Sequence, residues 1–498
     1  MDGKVVKVFE NIVKIDFNKK IYVCFILELI MCFMFDAKFN TSLFLIAIIF
    51  DIAVLLSIFI FNSDSAIIAM TLISSFTLTY MAENLGFPEY IKYIQDCFIL
   101  MMAVKLIMFC IRRDTKIYNI YHILFLFISF SILSCIFNKC SIFLYIRTLY
   151  FDYIRYFIIG IFLINSTISE EKIIKYIKIL WYTLLFQIPL VIIQYFWSLN
   201  NWKAKNPGDI RQDYLSGIIG GRGTTELGLL ITIALSILFV LYIFNKVKFI
   251  SFLISTLLLV TISILAEVKF ILILLPLMFL TMTLKKLNLK SICIFALILL
   301  IMGIGSVQLV KIYPEFKNFF NTQSIKKYSK DSYASSGIGR SNSFIIANDL
   351  LMNNPSNAMM GYGIGTADTI SPKYRFSAFN VSQYMIECGY MGVLCIYGMY
   401  IYVICISLKL IKYGRRDFER ILGYSGIISI EVMIIATFYN RSMVKINFAV
   451  LAWMIIGLIY KYYCLNKEER RIMIIKDGSV AGEFEKAINK HSSTCVQQ

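Results

Sequence analysis

Fourteen stretches of this chain are apolar for long enough to cross the ~30 Å hydrocarbon core of a bilayer, and no other feature narrows the possible folds as much. They lie near 21–35, 43–61, 66–82, 95–111, 119–137, 149–166, 174–197, 226–244, 248–266, 268–284, 291–310, 384–408, 421–439 and 446–463. Inside hydrocarbon every backbone N–H and C=O must find its partner within the same segment, which selects helices. Composition agrees. With 59% hydrophobic and 16% charged residues, a chain of 498 residues has too little polar surface for a soluble globule. The expected fold is an all-α polytopic membrane protein of about fourteen transmembrane helices. Several runs fall short of ~20 residues, which leaves room for two of them to be re-entrant or interfacial.

Basic residues set the orientation. With a cytoplasmic N-terminus, the even-numbered connections hold Arg112, Arg113 and Lys116; Lys172; Lys246 and Lys248; Lys285, Lys286 and Lys290; then Lys409, Lys412, Arg415, Arg416 and Arg420. The short odd-numbered connections mostly hold one or two, such as Lys38, Lys92 and Lys269. This is the positive-inside pattern, interrupted at the Asn62–Ser65 turn, which has no base. It divides the chain into a cytoplasmic N-terminus (1–20), a membrane domain of about eleven spans (21–310), a large extracytoplasmic loop (311–380) between helices 11 and 12, about three further spans (381–463) and a cytoplasmic tail (464–498). No small-residue cleavage site follows the first apolar run, so the first helix is expected to be retained. The net charge of +18 follows the same distribution. It points to membrane lipids with anionic headgroups as partners and to no nucleic acid, because no soluble basic domain stands apart to carry a duplex.

The 311–380 loop is the largest hydrophilic insertion and carries eight Lys/Arg against four Asp/Glu. Long loops escape the charge rule, so the excess marks where to look for an anionic partner. Histidine chemistry has no support there: His122 lies in a span and His491 in the tail. The twelve cysteines fall mostly in or beside apolar runs and form no C-x-x-C, so neither a disulfide framework nor a zinc site is expected, and no metal or cofactor. Chemistry must then rest on Arg, Lys, carboxylates, hydroxyls and amides.

Four local patterns carry such groups. Gly220-Gly221-Arg222-Gly223-Thr224-Thr225-Glu226 precedes a span; its glycines allow close backbone approach to a ligand, and Arg222 is either a snorkelling anchor or a fork on phosphate. Glu267 and Lys269 share a tight turn, as an ion pair or with the lysine on an anionic headgroup. In the large loop, Gly339-Arg340-Ser341-Asn342-Ser343 opens a helix with Ser341 as a plausible N-cap, ending near Asn353-Asn354-Pro355, and Gly361-Tyr362-Gly363-Ile364-Gly365 follows as a set of turns. Without a βαβ unit that glycine run is no dinucleotide site. Asp152 and Arg155 lie three apart on one helical face and are expected to face the bundle interior. Asp51, Lys105, Glu387 and Glu431 occupy similarly costly positions, as functional groups or as helix locks.

Over residues 210–410 these segments resemble the bacterial O-antigen polymerase/ligase family of membrane glycosyltransferases. "GRSNSFIIANDLLMNNPSNAMMGYGIGT" is similar to that family's G-R…helix…N-P…G-x-G-x-G pattern, and "AFNVSQYMIECGYMG" to its H-N signature, with Asn380, Glu387 and Gly389 at the family spacing. "GRGTTELG" resembles the phosphate-binding arginine region, and "AEVKFILILLP" a turn where Lys269 replaces the commoner arginine. Phe379 stands where ligases carry a histidine, which argues for the polymerase branch. The resemblance implies a substrate of undecaprenyl-pyrophosphate-linked oligosaccharide repeat units, joined on the outer face of a bacterial cytoplasmic membrane without metal or cofactor, with a chain-length regulator and a flippase as partners. With no external histidine, Glu387 or Asp368 is the expected catalytic base, Glu387 favoured for its place about one turn into a span, with Arg222, Lys269, Arg340, Arg211 and Arg375 on the pyrophosphate and Asn380 and Tyr362 on sugar. The alternatives are an O-antigen ligase, a lipid-linked oligosaccharide flippase, or a small-solute transporter, which would show matching halves that are not seen here.

Overall fold

Helix lengths in the folded chain follow the apolar runs, and helix ends follow the polar residues that can bond a freed backbone group. The computed structural model describes residues 64–84, 87–111, 119–201, 211–221, 223–266, 268, 271–285, scattered positions between 292 and 311, and 337–468. The spans expected at 21–35 and 43–61, the N-terminus, Asp51, most of 291–310, residues 312–336 and the tail beyond 468 lie outside the described residues. The described part is all-helical. Its helices are α1 Asp64–Asn84, α2 Tyr93–Ile111, α3 Asn119–Phe137, α4 Ile142–Asn165, α5 Glu170–Asn201, α6 Thr224–Ile243, α7 Phe249–Leu265, α8 Ile271–Lys285, α9 Arg340–Met352, α10 Pro355–Met360, α11 Asn380–Tyr413, α12 Asp417–Tyr439 and α13 Ile446–Glu468. Among the described residues nine of these (α1 to α6 and α11 to α13) are long and apolar enough to cross a membrane, while α7 is shorter.

Several ends differ from the hydropathy reading. The span expected at 149–166 begins at Ile142 and contains a π turn at Tyr150–Ile154. The last span runs to Glu468, past the expected boundary at 464, because buried Asn466 bonds the Glu419 carboxylate. In the large loop the helix starts at Arg340, two residues earlier than a Ser341 cap allows. Gly339 is the cap, with extended φ/ψ, and its carbonyl accepts the amides of Asn342 and Ser343.

Two ends of the bundle can be told apart by their cross-links. At one end Gly221 N donates to Asn84 Oδ1 (2.7 Å), Asn138 Nδ2 to the Gly361 carbonyl (3.0 Å) and Asn440 Nδ2 to Glu226 Oε1 (3.1 Å). At the other end Lys105 meets Asp64 (2.7 Å), Arg416 meets Glu170 (2.5 Å) and Lys246 meets Asp417 (2.8 Å). The connections that share a parity in the charge reading therefore share an end. Asp64 sits where the Asn62–Ser65 turn lacks a base, and accepts both Thr167 N and Thr167 Oγ1.

Small residues let the helices approach. A Cβ on Gly457 would lie 2.8 Å from the Gly160 carbonyl oxygen, so α4 and α13 touch backbone to backbone there. One large core runs through the bundle, and a second, made by Ile338, Ala347, Leu351, Ala367, Phe376, Phe379, Val381, Met385 and Ile386, lies under residues 338–379. That segment is thus a folded cap seated on the start of α11.

Candidate functional site

The cap meets the bundle where α11 breaks. Gly389 has φ 62° and ψ −167°, a conformation open essentially to glycine alone, and it divides the 34-residue α11. Breaking the helix frees carbonyls that its own later turns would have bonded. The glycine run of the cap takes them: Tyr362 N donates to the Ile386 carbonyl (2.7 Å) and Gly363 N to the Glu387 carbonyl (3.0 Å). Gly361, Gly363 and Gly365 all have positive φ, and a Cβ on Gly361 would lie 2.5 Å from Gly389 N. Two backbones are in contact, and neither tolerates a side chain.

Glu387 is set at this break, 2% exposed. Its Oε2 accepts Tyr153 Oη (2.9 Å) and Gln383 Nε2 (3.3 Å), and its Oε1 accepts Gly365 N (3.1 Å). Gln383 Nε2 also donates to Asp152 Oδ2 (2.8 Å), so one amide bridges two carboxylates. Asp152 receives Arg441 Nη2 at 2.6 Å. Arg441 precedes the short 3₁₀ turn Ser442–Val444 between α12 and α13. Burial alone would weaken its cation, but the nearby Asp152 and Glu387 carboxylates outweigh that and hold its pKa above the ordinary arginine value, with Asp368 contributing. A single guanidinium thus lies in the field of three carboxylates. Asp152 and Tyr153 also line a crevice of about 20 Å³, room for roughly one water.

Asp152 and Arg155, expected to face the bundle interior from one helical face, do not bond each other. Both are inward, but the π turn changes the helical phase between them. Arg155 Nη1 faces Asp96 Oδ1 at 3.7 Å, its Nη2 donates to Tyr156 Oη (2.6 Å), and Tyr156 Oη donates to the Val444 carbonyl (2.8 Å).

A second network holds the Asn440–Lys445 turn in place. Glu226, 0% exposed near the start of α6, accepts Asn440 Nδ2 (3.1 Å), Ser442 Oγ (2.7 Å) and Lys445 Nζ (2.8 Å). Asn380, also fully buried, accepts Met443 N on Oδ1 (3.0 Å) and donates its own N–H to the Asn440 carbonyl (3.2 Å). Asn380 therefore braces the Arg441 turn. Its Nδ2 is buried and has no hydrogen-bond partner among the described residues.

The other sequence-expected residues are distributed as follows. Arg340 lies with its guanidinium 5.0 Å from the Tyr439 ring, two residues from Arg441. Asp368 is exposed and accepts Ser377 Oγ and Ser377 N, while exposed Arg375 caps the turn that carries Ser377. Arg211 lies over the Tyr195 ring at 5.4 Å, tied to α5 and not to the Arg441 turn. Tyr362 Oη donates to the Leu350 carbonyl (3.2 Å) and its ring packs on the cap core. Phe379 is wholly buried in that core and caps α11, so a ring, and not a base, occupies the position. Arg222, Glu267 and Lys269 lie outside the described residues; their neighbours Gly221, Gly223 and Val268 are at the site end, Val268 against Gly228. Among the described residues no three His, Cys, Asp or Glu side chains are grouped to hold a metal ion.

Sequence reading missed Arg441, the residue through which the cluster is organised. A signal existed: Asn440, Arg441, Ser442, Lys445 and Asn447 place five polar residues, two of them basic, in a short connection of the parity where bases are scarce. No family model matches this chain, and no curated protein matches it.

Proposed function

We propose that this protein is a membrane glycosyltransferase that joins lipid-pyrophosphate-linked oligosaccharide repeat units, a polysaccharide polymerase, with its site on the outer face of a bacterial cytoplasmic membrane. What supports it is the meeting of cations and carboxylates at one end of an apolar bundle beneath a folded polar cap: Arg441, Lys445, Arg340 and Arg375 with Asp152, Glu387 and Asp368. Charges at a membrane boundary suit a substrate whose polar head is anionic and whose anchor is apolar.

In the reaction a hydroxyl oxygen of the acceptor sugar attacks the donor's anomeric carbon. The bond from that carbon to the pyrophosphate oxygen breaks, and the pyrophosphate leaves with the electron pair. Its growing charge is met by fixed cations, Arg441 with Arg340 and, from the sequence, Arg222 and Lys269. The hydroxyl proton passes to a carboxylate. Asp368 is exposed and in the field of Arg441, so we assign it the base. Glu387 already accepts three hydrogen bonds at 2% exposure, and so fixes the broken helix and Tyr153. Asn380 Nδ2 is a donor for a sugar hydroxyl.

The test is a purified protein in vesicles supplied with lipid-pyrophosphate-linked repeat units and analysed on a gel. A ladder of longer glycans is expected. Asp368→Asn and Arg441→Gln should each lower its rate by about a hundredfold or more, the usual scale for a lost base or a lost charge contact. Unextended repeat units that cross the bilayer would instead identify a flippase.

A further inference from the structure

A large cavity lies away from the site just described. Its volume is about 710 Å³, and it is lined chiefly by side chains of α5, α6, α12 and α13, with Ile68 and Phe76 of α1 and Leu163 of α4. Along α6 its lining extends from Leu227 to Leu241, fourteen helical steps and therefore about 21 Å at ~1.5 Å per residue. The walls are apolar through most of that length, including Ile233, Leu238, Leu422, Leu451 and Met454. Of its charged lining residues, Lys246 and Asp417 meet at the end opposite the Arg441 cluster, and Lys178 lies in the first third of α5, the part that begins at that end.

A sugar, nucleotide or peptide needs polar partners along its length, and this shaft offers few. A hydrocarbon chain needs none. The mouth adds the second half of the recognition: Lys178 is exposed on α5 and follows Lys172 and Lys175 at three-residue spacing, one ridge of the helix. Lys246, half exposed, holds Asp417 at 2.8 Å. Within a bilayer a chain gains little by moving from lipid to an apolar wall, so selectivity has to come from the headgroup.

We propose that this shaft binds one acyl chain of an anionic phospholipid, drawn from the leaflet at the end away from the cap, with its phosphate held between Lys178 and Lys246. A lipid-linked donor would carry its pyrophosphate at the opposite end, so the two ligands enter from different leaflets. The phospholipid fills the space between α5 and α12 and keeps these helices at the separation the bundle requires.

Trp181 lines the shaft and reports its occupant. A full-length variant with Trp197, Trp202 and Trp453 replaced by Phe leaves Trp181 as the single tryptophan. In detergent it is titrated with phosphatidylglycerol brominated on its acyl chains, or with phosphatidylcholine brominated the same way. Saturable quenching is expected, with half-effect at least about fivefold lower for phosphatidylglycerol. Adding Lys178→Gln and Lys246→Gln, both at exposed or half-exposed positions, should erase that preference. Ala234→Phe, which plugs the shaft wall, should abolish the saturable component. Quenching that rises linearly with either lipid and ignores headgroup and plug overturns the proposal. So does displacement of brominated phosphatidylglycerol by undecaprenyl pyrophosphate at equal or lower concentration, because the shaft would then hold the donor's tail.

Discussion

Replacing Gly389 by alanine tests whether the broken helix holds the site together. At φ 62° and ψ −167° an L-residue carries about 1–3 kcal/mol of backbone strain. The new Cβ would lie 2.4 Å from Gly361 N and 2.6 Å from the Met359 carbonyl carbon and oxygen, and backbone atoms cannot rotate out of the way. The glycine run must move off α11, and the bonds from Tyr362 N, Gly363 N and Gly365 N to Ile386 and Glu387 go with it. At about 1 kcal/mol net for each of the three bonds, added to the strain, the total is about 4–6 kcal/mol. Gly398, nine residues further along α11, is the control: its Cβ would meet nothing within 4 Å. There alanine should stabilise by about 0.5–1 kcal/mol, as it does in most helix interiors. The assay is denaturant unfolding in one detergent, joined to hydrogen exchange at the Tyr362 and Gly363 amides. Gly389→Ala should unfold earlier and lose protection at both amides, while Gly398→Ala keeps both. Equal stability of the two variants, with both amides still protected, would refute the reasoning.

Three shorter predictions concern the surroundings of the site. Burial, then the adjacent Cys135 and Glu387, pushes the Cys140 thiol from 9.0 up to about 11. A thiol raised that far is protonated at neutral pH, so alkylation at pH 7.5 should be about a hundredfold slower than in the unfolded chain and climb tenfold per pH unit; peptide mass spectrometry that finds ordinary thiol rates counts against the closed cap. Glu226→Ala strips Asn440, Ser442 and Lys445 of their shared acceptor and should cost about 3 kcal/mol in unfolding experiments, with Glu226→Gln costing less because one acceptor oxygen stays. In intact cells, cysteine at exposed Thr369 should react with an impermeant maleimide, and cysteine at exposed Lys172 should react only after lysis; the reverse pattern inverts the proposed orientation.

Hydrophobic length alone located the middle of nearly every described helix, because a span has one dominant requirement and apolar residues meet it. The α3 helix lies at its expected limits, Asn119–Phe137. Helix ends were harder to read, since they depend on which side chain bonds a free backbone group there, as Arg420 Nε does for the Gly414 carbonyl and the Glu419 carboxylate for the Arg415 amide. The site was legible in part. Glu387 could be picked out as a costly charge in a span, the glycine run as a set of turns, and Gly389 only from the resemblance. That they form one structure could not, for it rests on amides of residues 362–365 reaching carbonyls and a carboxylate of residues 386–387. The role of Arg441 was not legible for a related reason: its partner Asp152 lies 289 residues earlier in the chain.

The charged residues of α4 show why partner choice, and not position, decides what a charge does inside a membrane. An arginine or aspartate at mid-bilayer costs about 2.5–3.5 kcal/mol on insertion scales, and a pair three residues apart would offset that locally. Had Asp152 and Arg155 neutralised one another, α4 would present a closed pair and contribute nothing to the cap. The π turn at Tyr150–Ile154 changes the phase instead, so Arg155 turns to Asp96 on α2 and Asp152 to Arg441 beyond α12. The two bonds then do different work. Arg155, 9% exposed and stacked 4.7 Å from the Tyr156 ring, binds two helices and, through Tyr156, the Val444 carbonyl. Arg441 keeps a side chain 37% exposed, so its charge reaches the space under the cap. One irregular turn thus separates two charges three residues apart into a buried cation that ties α4 to α2 and an anion that holds the partly exposed Arg441.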